Sequence, residues 1–168
     1  MIKPRLILAT LLLSQLTIVP SLTAEEYASP VKAEKILITT TAGDGQPHRG
    51  LKTRLLSANG HPVRAEVAST MDALEMGLKH RSGLGWDDGL LMVLSTEKRV
   101  CIWMKDTLIP LSVAFMNGDG VVIDMADMAP GTNEPRCAGN NIRYVLEMNL
   151  GWFAVRGISR GSRINGVR

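Results

Sequence analysis

Four side chains set in two apolar stretches have the types to do chemistry. Lys105, Asp106 and Thr107 interrupt Cys101-Ile102-Trp103-Met104 and Leu108-Ile109-Pro110, and Glu147 interrupts Tyr144-Val145-Leu146 and Met148. An ammonium, two carboxylates and a hydroxyl among apolar neighbours need partners, because burying such groups alone is costly. Lys105 could anchor an anionic ligand with Thr107 donating a hydrogen bond. All four together could serve a hydrolase. The structural reading instead joins Lys105 and Glu147 as one buried ion pair. Trp103 and Trp152 read as core groups, or as walls of a ligand groove, each with one N–H to satisfy. Asn149, between Glu147 and Gly151, reads as a cap on the turn that follows.

Other chemistries find little support. His48, His61 and His80 are scattered, and no histidine or carboxylate cluster has ligand spacing, so no metal or cofactor is expected. Asn117-Gly118-Asp119-Gly120 shares letters with a calcium loop but lacks the later ligands, and reads as a hairpin turn. No Gly-x-Ser-x-Gly nucleophile turn or phosphate-binding glycine loop occurs. Aromatic residues make up 4% of the chain, and no Lys/Arg run exceeds two residues, which argues against a nucleic-acid platform.

The elements that would position these groups are mostly short strands. Lys52–Leu56 and Val63–Ala68 flank Asn59-Gly60, a hairpin signal. Ser69 with Asp72 resembles a capping box, and Met71, Leu74 and Leu78 continue an apolar helical face that ends near Lys79-His80-Arg81. Strands follow at Gly89–Leu94, Val100–Met104, Leu111–Met116, Val121–Met125 and Tyr144–Met148. Residues 129–141 read as a loop, Leu150–Arg156 as a helical turn or two, and Arg163-Ile164 as an edge strand. The fold class expected is mainly β with one or two short helices, a compact antiparallel sandwich or barrel-like single domain.

The first 24 residues read as a secretory signal. Lys3 and Arg5 precede an uncharged run from Leu6 to Val19, too short for a comfortable membrane span, and Thr23-Ala24 offers a cleavage site. The alternative is an uncleaved anchor. Residues 25–50 read as a flexible leader and 51–168 as the β domain. Cleavage would leave 144 of the 168 residues and 17 basic against 16 acidic side chains, a balance of +1. In an exported chain, Cys101 and Cys137 read as one disulfide closing a loop of about 36 residues, worth roughly 4 kcal/mol on the chain-entropy model. Free thiols or a redox pair remain the alternatives.

Several motifs resemble the domain of unknown function 192 family (uncharacterised protein family 0127), in an exported proteobacterial-type branch. They are Val67-Ala68-x-Thr70, Gly77-Leu78 with Arg81, Gly89-Leu90-Leu91, Trp103–Leu111, the Asp119-Gly120 turn, Tyr144–Asn149 with Gly151-Trp152, and Gly157-Ile158. The resemblance adds Arg81 to the candidate ligand or ion-pair residues and implies a mainly β domain without an assigned reaction. Two positions depart from the family pattern: Asp106 stands where Asn is usual, and Lys79 where Met is usual. The expected function is a non-catalytic envelope module binding a small ligand or a protein partner. The alternatives are a hydrolase on Lys105, Asp106, Thr107 and Glu147, or an accessory acting by contact alone.

Overall fold

A computed structural model describes residues 50–168. The expected signal at 1–24, and all of the expected leader except Gly50, lie outside the described residues. Strands β1 (Thr53–Ala58) and β2 (His61–Ala68) form a hairpin through Asn59-Gly60. Both turn residues have positive φ, 51° and 82°. A two-residue hairpin whose twist matches its strands requires this, and Asn-Gly supplies it with little strain.

Helix α1 (Met71–Met76) then carries the chain to β3 (Asp88–Lys98), which lies parallel to β2. A parallel pair needs such a crossover, whereas a hairpin does not. The helix begins one residue later than the capping pattern predicts: Thr70, not Ser69, is the cap, its Oγ1 accepting from the Ala73 N–H at 3.3 Å. It also stops short of residues 79–81, because Gly77 turns the chain at φ 53°, ψ −132°, backbone that side chains disfavour.

Strands β4 (Cys101–Ile102), β5 (Leu111–Met116), β6 (Val122–Met128), β7 (Arg136–Cys137) and β8 (Ile142–Asn149) follow, then a 3-10 turn (Ala154–Arg156) and β9 (Ile164–Asn165). Strand β7 interrupts the loop expected over 129–141. It pairs with β4 in a separate two-stranded ribbon. The other seven strands form one sheet in the order β6-β5-β8-β3-β2-β1-β9, antiparallel except at β2-β3. The sheet curls into a half-barrel. The chain just before β6 meets the chain just before β9 through a Val121–Arg163 bridge and a 2.9 Å bond from Ile164 N–H to the Gly120 carbonyl. A Cβ at Gly120 would lie 2.6 Å from the carbonyl oxygen of Ile164, so glycine permits the approach.

Both faces of the sheet are covered. On one face Leu56, Leu91, Met116, Leu146 and Met148 pack with Trp152, Phe153 and Ile158. On the other, Leu90, Met92, Phe115 and Val145 pack with Ala73, Leu78, Val100, Met104 and Ala138. This explains why β5 has no exposed position. Trp152 belongs to the first core. Its Nε1–H donates to Asp87 Oδ1 at 2.9 Å, and the Arg156 guanidinium lies 4.2 Å from the ring centre.

Candidate functional site

The alternation of β8 decides where Glu147 points. Tyr144, Leu146 and Met148 enter the core beside Trp152, while Val145 belongs to the opposite core. Glu147 shares the parity of Val145. Its register partners are Leu90 in β3 and Val113 in β5, and Leu90 in turn pairs with Glu66 in β2. Glu66, Leu90, Glu147 and Val113 therefore form a row across four strands, with two carboxylates on one face.

Arg81 serves this row. Its guanidinium donates both terminal nitrogens to Glu66, at 2.6 and 2.8 Å. This bidentate bonding raises the Arg81 pKa further above its ordinary value. Burial pushes the Glu147 carboxyl up to about 7, and the nearby Arg81 charge offsets part of that rise. Glu147 is 6% exposed. Thr107 is buried to the same degree, at 5% exposed.

Both groups line one cleft of about 490 Å³. Helix α1 and the turn after it supply Thr70, Met71, Leu74, Glu75, Met76 and Lys79. Strand β3 supplies Met92, Leu94 and Lys98, and the β4 segment supplies Cys101, Ile102 and Trp103. The wall is largely apolar, with three flexible methionines that adapt to irregular shapes.

The expected site residues separate accordingly. Thr107, Glu147 and Trp103 meet at the cleft. Trp103 is 40% exposed and forms part of its wall, so the core reading holds for Trp152 and fails for Trp103. Lys105 and Asp106 are exposed outside the cleft, and the expected Lys105–Glu147 pair is not formed. The cation that Glu147 feels is Arg81. The reason is the turn itself: Thr107 N–H bonds to the Met104 carbonyl, and Gly131 N–H to the Thr107 carbonyl, both at 3.0 Å, which leaves Lys105 and Asp106 on the outside of the turn. Asn149 does not cap its own turn with its side chain. Its amide donates to the Gly85 carbonyl at 2.8 Å and holds the 84–86 loop.

Cys101 and Cys137 form a disulfide, facing each other in register on β4 and β7. The bond ties the cleft wall at Cys101 to the second strand of its ribbon. Among the described residues no group of three His, Cys, Asp or Glu side chains could hold a metal, and no helix is long and apolar enough to cross a membrane.

Glu66, Glu75 and Lys98 escaped the sequence reading. Alternation in Val63–Val67 placed Glu66 on the polar face of β2, but no local pattern shows that Arg81 covers that face. Asp72 and Glu75 lie on one short helix, and only the packing of α1 over β3 turns Glu75 toward the cleft.

The family model DUF192, described as an uncharacterised ACR, matches residues 54–166. Two solved structures are similar. One is a protein from Sinorhizobium meliloti described as a candidate transcription regulator, with 31% identity, 68% of this chain and 91% of that one covered, and a TM-score of 0.64. The other, from Novosphingobium aromaticivorans, is described as a protein of unknown function; identity is 29%, coverage 74% and 93%, and the TM-score 0.68. No match is found among the curated proteins.

Proposed function

The chain belongs to the uncharacterised DUF192 family, and on that premise we propose that it is a non-catalytic module of the cell envelope that binds a small ligand in the cleft between α1, β3 and β4. One observation carries the reading. A cleft of about 490 Å³, the size of ordinary small-molecule sites, is lined mainly by apolar side chains and has two largely buried polar residues, Glu147 and Thr107, in its wall. A few polar groups set in an otherwise apolar concave wall are what orients a small ligand.

The envelope location rests on Lys3, Arg5 and the Leu6–Val19 run, and the Cys101–Cys137 disulfide suits an oxidising compartment. Cell fractionation with N-terminal sequencing tests it: a periplasmic protein beginning at Glu25 is expected, and an intact cytoplasmic chain would overturn it. Ligand-observed NMR on the full chain, with Leu94→Trp filling the cleft, tests the binding. Small amphipathic compounds, with an apolar body and one polar group, should bind the wild type and lose affinity in the variant; the absence of any such ligand would overturn the reading.

A hydrolase reading draws on one feature, a Glu147 carboxyl that titrates near neutrality as a general acid or base would. It loses two of its four groups, since Lys105 and Asp106 lie outside the cleft. Turnover of a chromogenic ester that is lost in Glu147→Gln would revive it. Nucleic-acid binding, suggested by the description of the Sinorhizobium protein, gains nothing from the described residues: their α-helix, α1, has six residues, too few for a recognition helix, and the charge balance without residues 1–24 is +1.

A further inference from the structure

Resting on that reading of the cleft, the charges around Glu147 narrow the class of ligand. Arg81 is engaged by both oxygens of Glu66, so one guanidinium stands against two carboxylates in the same row of the sheet. The other charged groups at the cleft are Glu75 on α1, Lys79 in the turn after it, and Lys98 near the end of β3. Both lysines are half-exposed, so their ammonium groups on long stems can remain in water. Glu147 is far more buried, at 6% exposed, and meets solvent only through the cleft. A ligand carboxylate would bring a second negative charge beside it, and a wholly apolar ligand would bury it further with nothing in return.

We propose that the cleft takes a small primary or secondary amine, whose apolar body lies against Met71, Leu74 and Met92 and whose protonated head donates to the Glu147 carboxylate, with the Thr107 hydroxyl as a second acceptor. The amine supplies the charge that Arg81, held by Glu66, does not neutralise. Binding favours the ionised form of Glu147, so protonation of that carboxyl and binding of the amine oppose each other. Affinity then rises with pH across the range in which Glu147 ionises, as long as the amine stays protonated. An anionic ligand would show the opposite slope.

Calorimetric titration of the full chain with hexylamine, hexanol and hexanoate at pH 6 and pH 8 tests this. Hexylamine should bind, and about tenfold more tightly at pH 8, since a carboxyl titrating near 7 passes from about one-tenth to nine-tenths ionised over that interval. Glu147→Gln should weaken hexylamine by about tenfold or more at pH 8 and abolish the pH dependence. Thr107→Val should weaken it severalfold and preserve the slope. If hexanol or hexanoate binds more tightly than hexylamine at pH 8, the amine assignment falls while the binding cleft stands. If none of the three binds, both fall. Should Glu147→Gln fail to fold, the wild-type ratio decides: less than a twofold change between pH 6 and pH 8 overturns the assignment.

Discussion

The backbone N–H of His80 donates to the carbonyl of Asp106 at 2.9 Å, and both residues occupy the left-handed region, at φ 60° and 61°. This bond joins the turn that follows α1 to the turn that follows β4, so it links two walls of the cleft. It also accounts for the Lys-Asp-Thr triplet. Lys105 and Asp106 face water because the chain must reverse there, and the reversal delivers the Thr107 hydroxyl to the cleft. Asp106 then has a conformational reason: Asn and Asp tolerate the left-handed region better than other side chains except glycine.

Asp106→Asn is therefore expected to leave the thermal midpoint unchanged or slightly raised, and Asp106→Val to cost about 1–2 kcal/mol, since a β-branched residue is strained at positive φ. Chemical denaturation of both variants checks this. Equal destabilisation by Asn and Val would show that the Asp106 carboxylate, not its backbone, matters.

The pH dependence of stability should carry the signature of Glu147. Its carboxyl titrates near 7 in the folded chain and near 4.5 when exposed, so between these values the folded state holds a proton that the unfolded state has lost. Stability supplied by the neutral form is present below about pH 4.5, falls as pH rises, and levels off above 7, a total of up to about 3 kcal/mol. In Glu147→Gln this downward slope should vanish, with the variant more stable than wild type at pH 8. Urea titrations from pH 5 to pH 8 measure it, and parallel wild-type and variant profiles would refute the assignment.

Arg81→Ala removes the bidentate contact to Glu66 and the positive charge near Glu147. A loss of about 2 kcal/mol is expected from the hydrogen bonds. The Glu147 carboxyl should also move above its present value near 7, because the favourable charge is gone while burial remains. Carboxyl-carbon NMR titration reads this directly, and an unmoved Glu147 resonance would exclude the coupling.

The disulfide closes a separation of 36 residues. The double variant Cys101→Ser, Cys137→Ser should lose about 2–4 kcal/mol. Thiol titration of the native protein should find no free thiol before reduction. Reduction should weaken binding in the cleft as well, because Cys101 lies in the cleft wall.

Much of this protein is determined locally and can be read from its residues. Asn59-Gly60 specifies a hairpin because few other pairs accept positive φ twice, and period-two alternation in β2 and the continuous apolar run of β5 mark strands with one and two covered faces. The cysteine pair was readable because two thiols in a chain expected to be exported have one obvious partner each. Three things were decided only by the tertiary structure. The parallel β2-β3 pairing set Glu66 and Glu147 in one row on either side of Leu90. The packing of the turn after α1 chose Arg81, and not Lys105, as the cation near Glu147. The bend at Asp106 turned Lys105 outward and Thr107 inward. Sequence patterns report the period of an element and the polarity of its faces. Which charge meets which depends on strand order and on backbone torsions at single residues, and these arise from contacts between segments far apart in the chain.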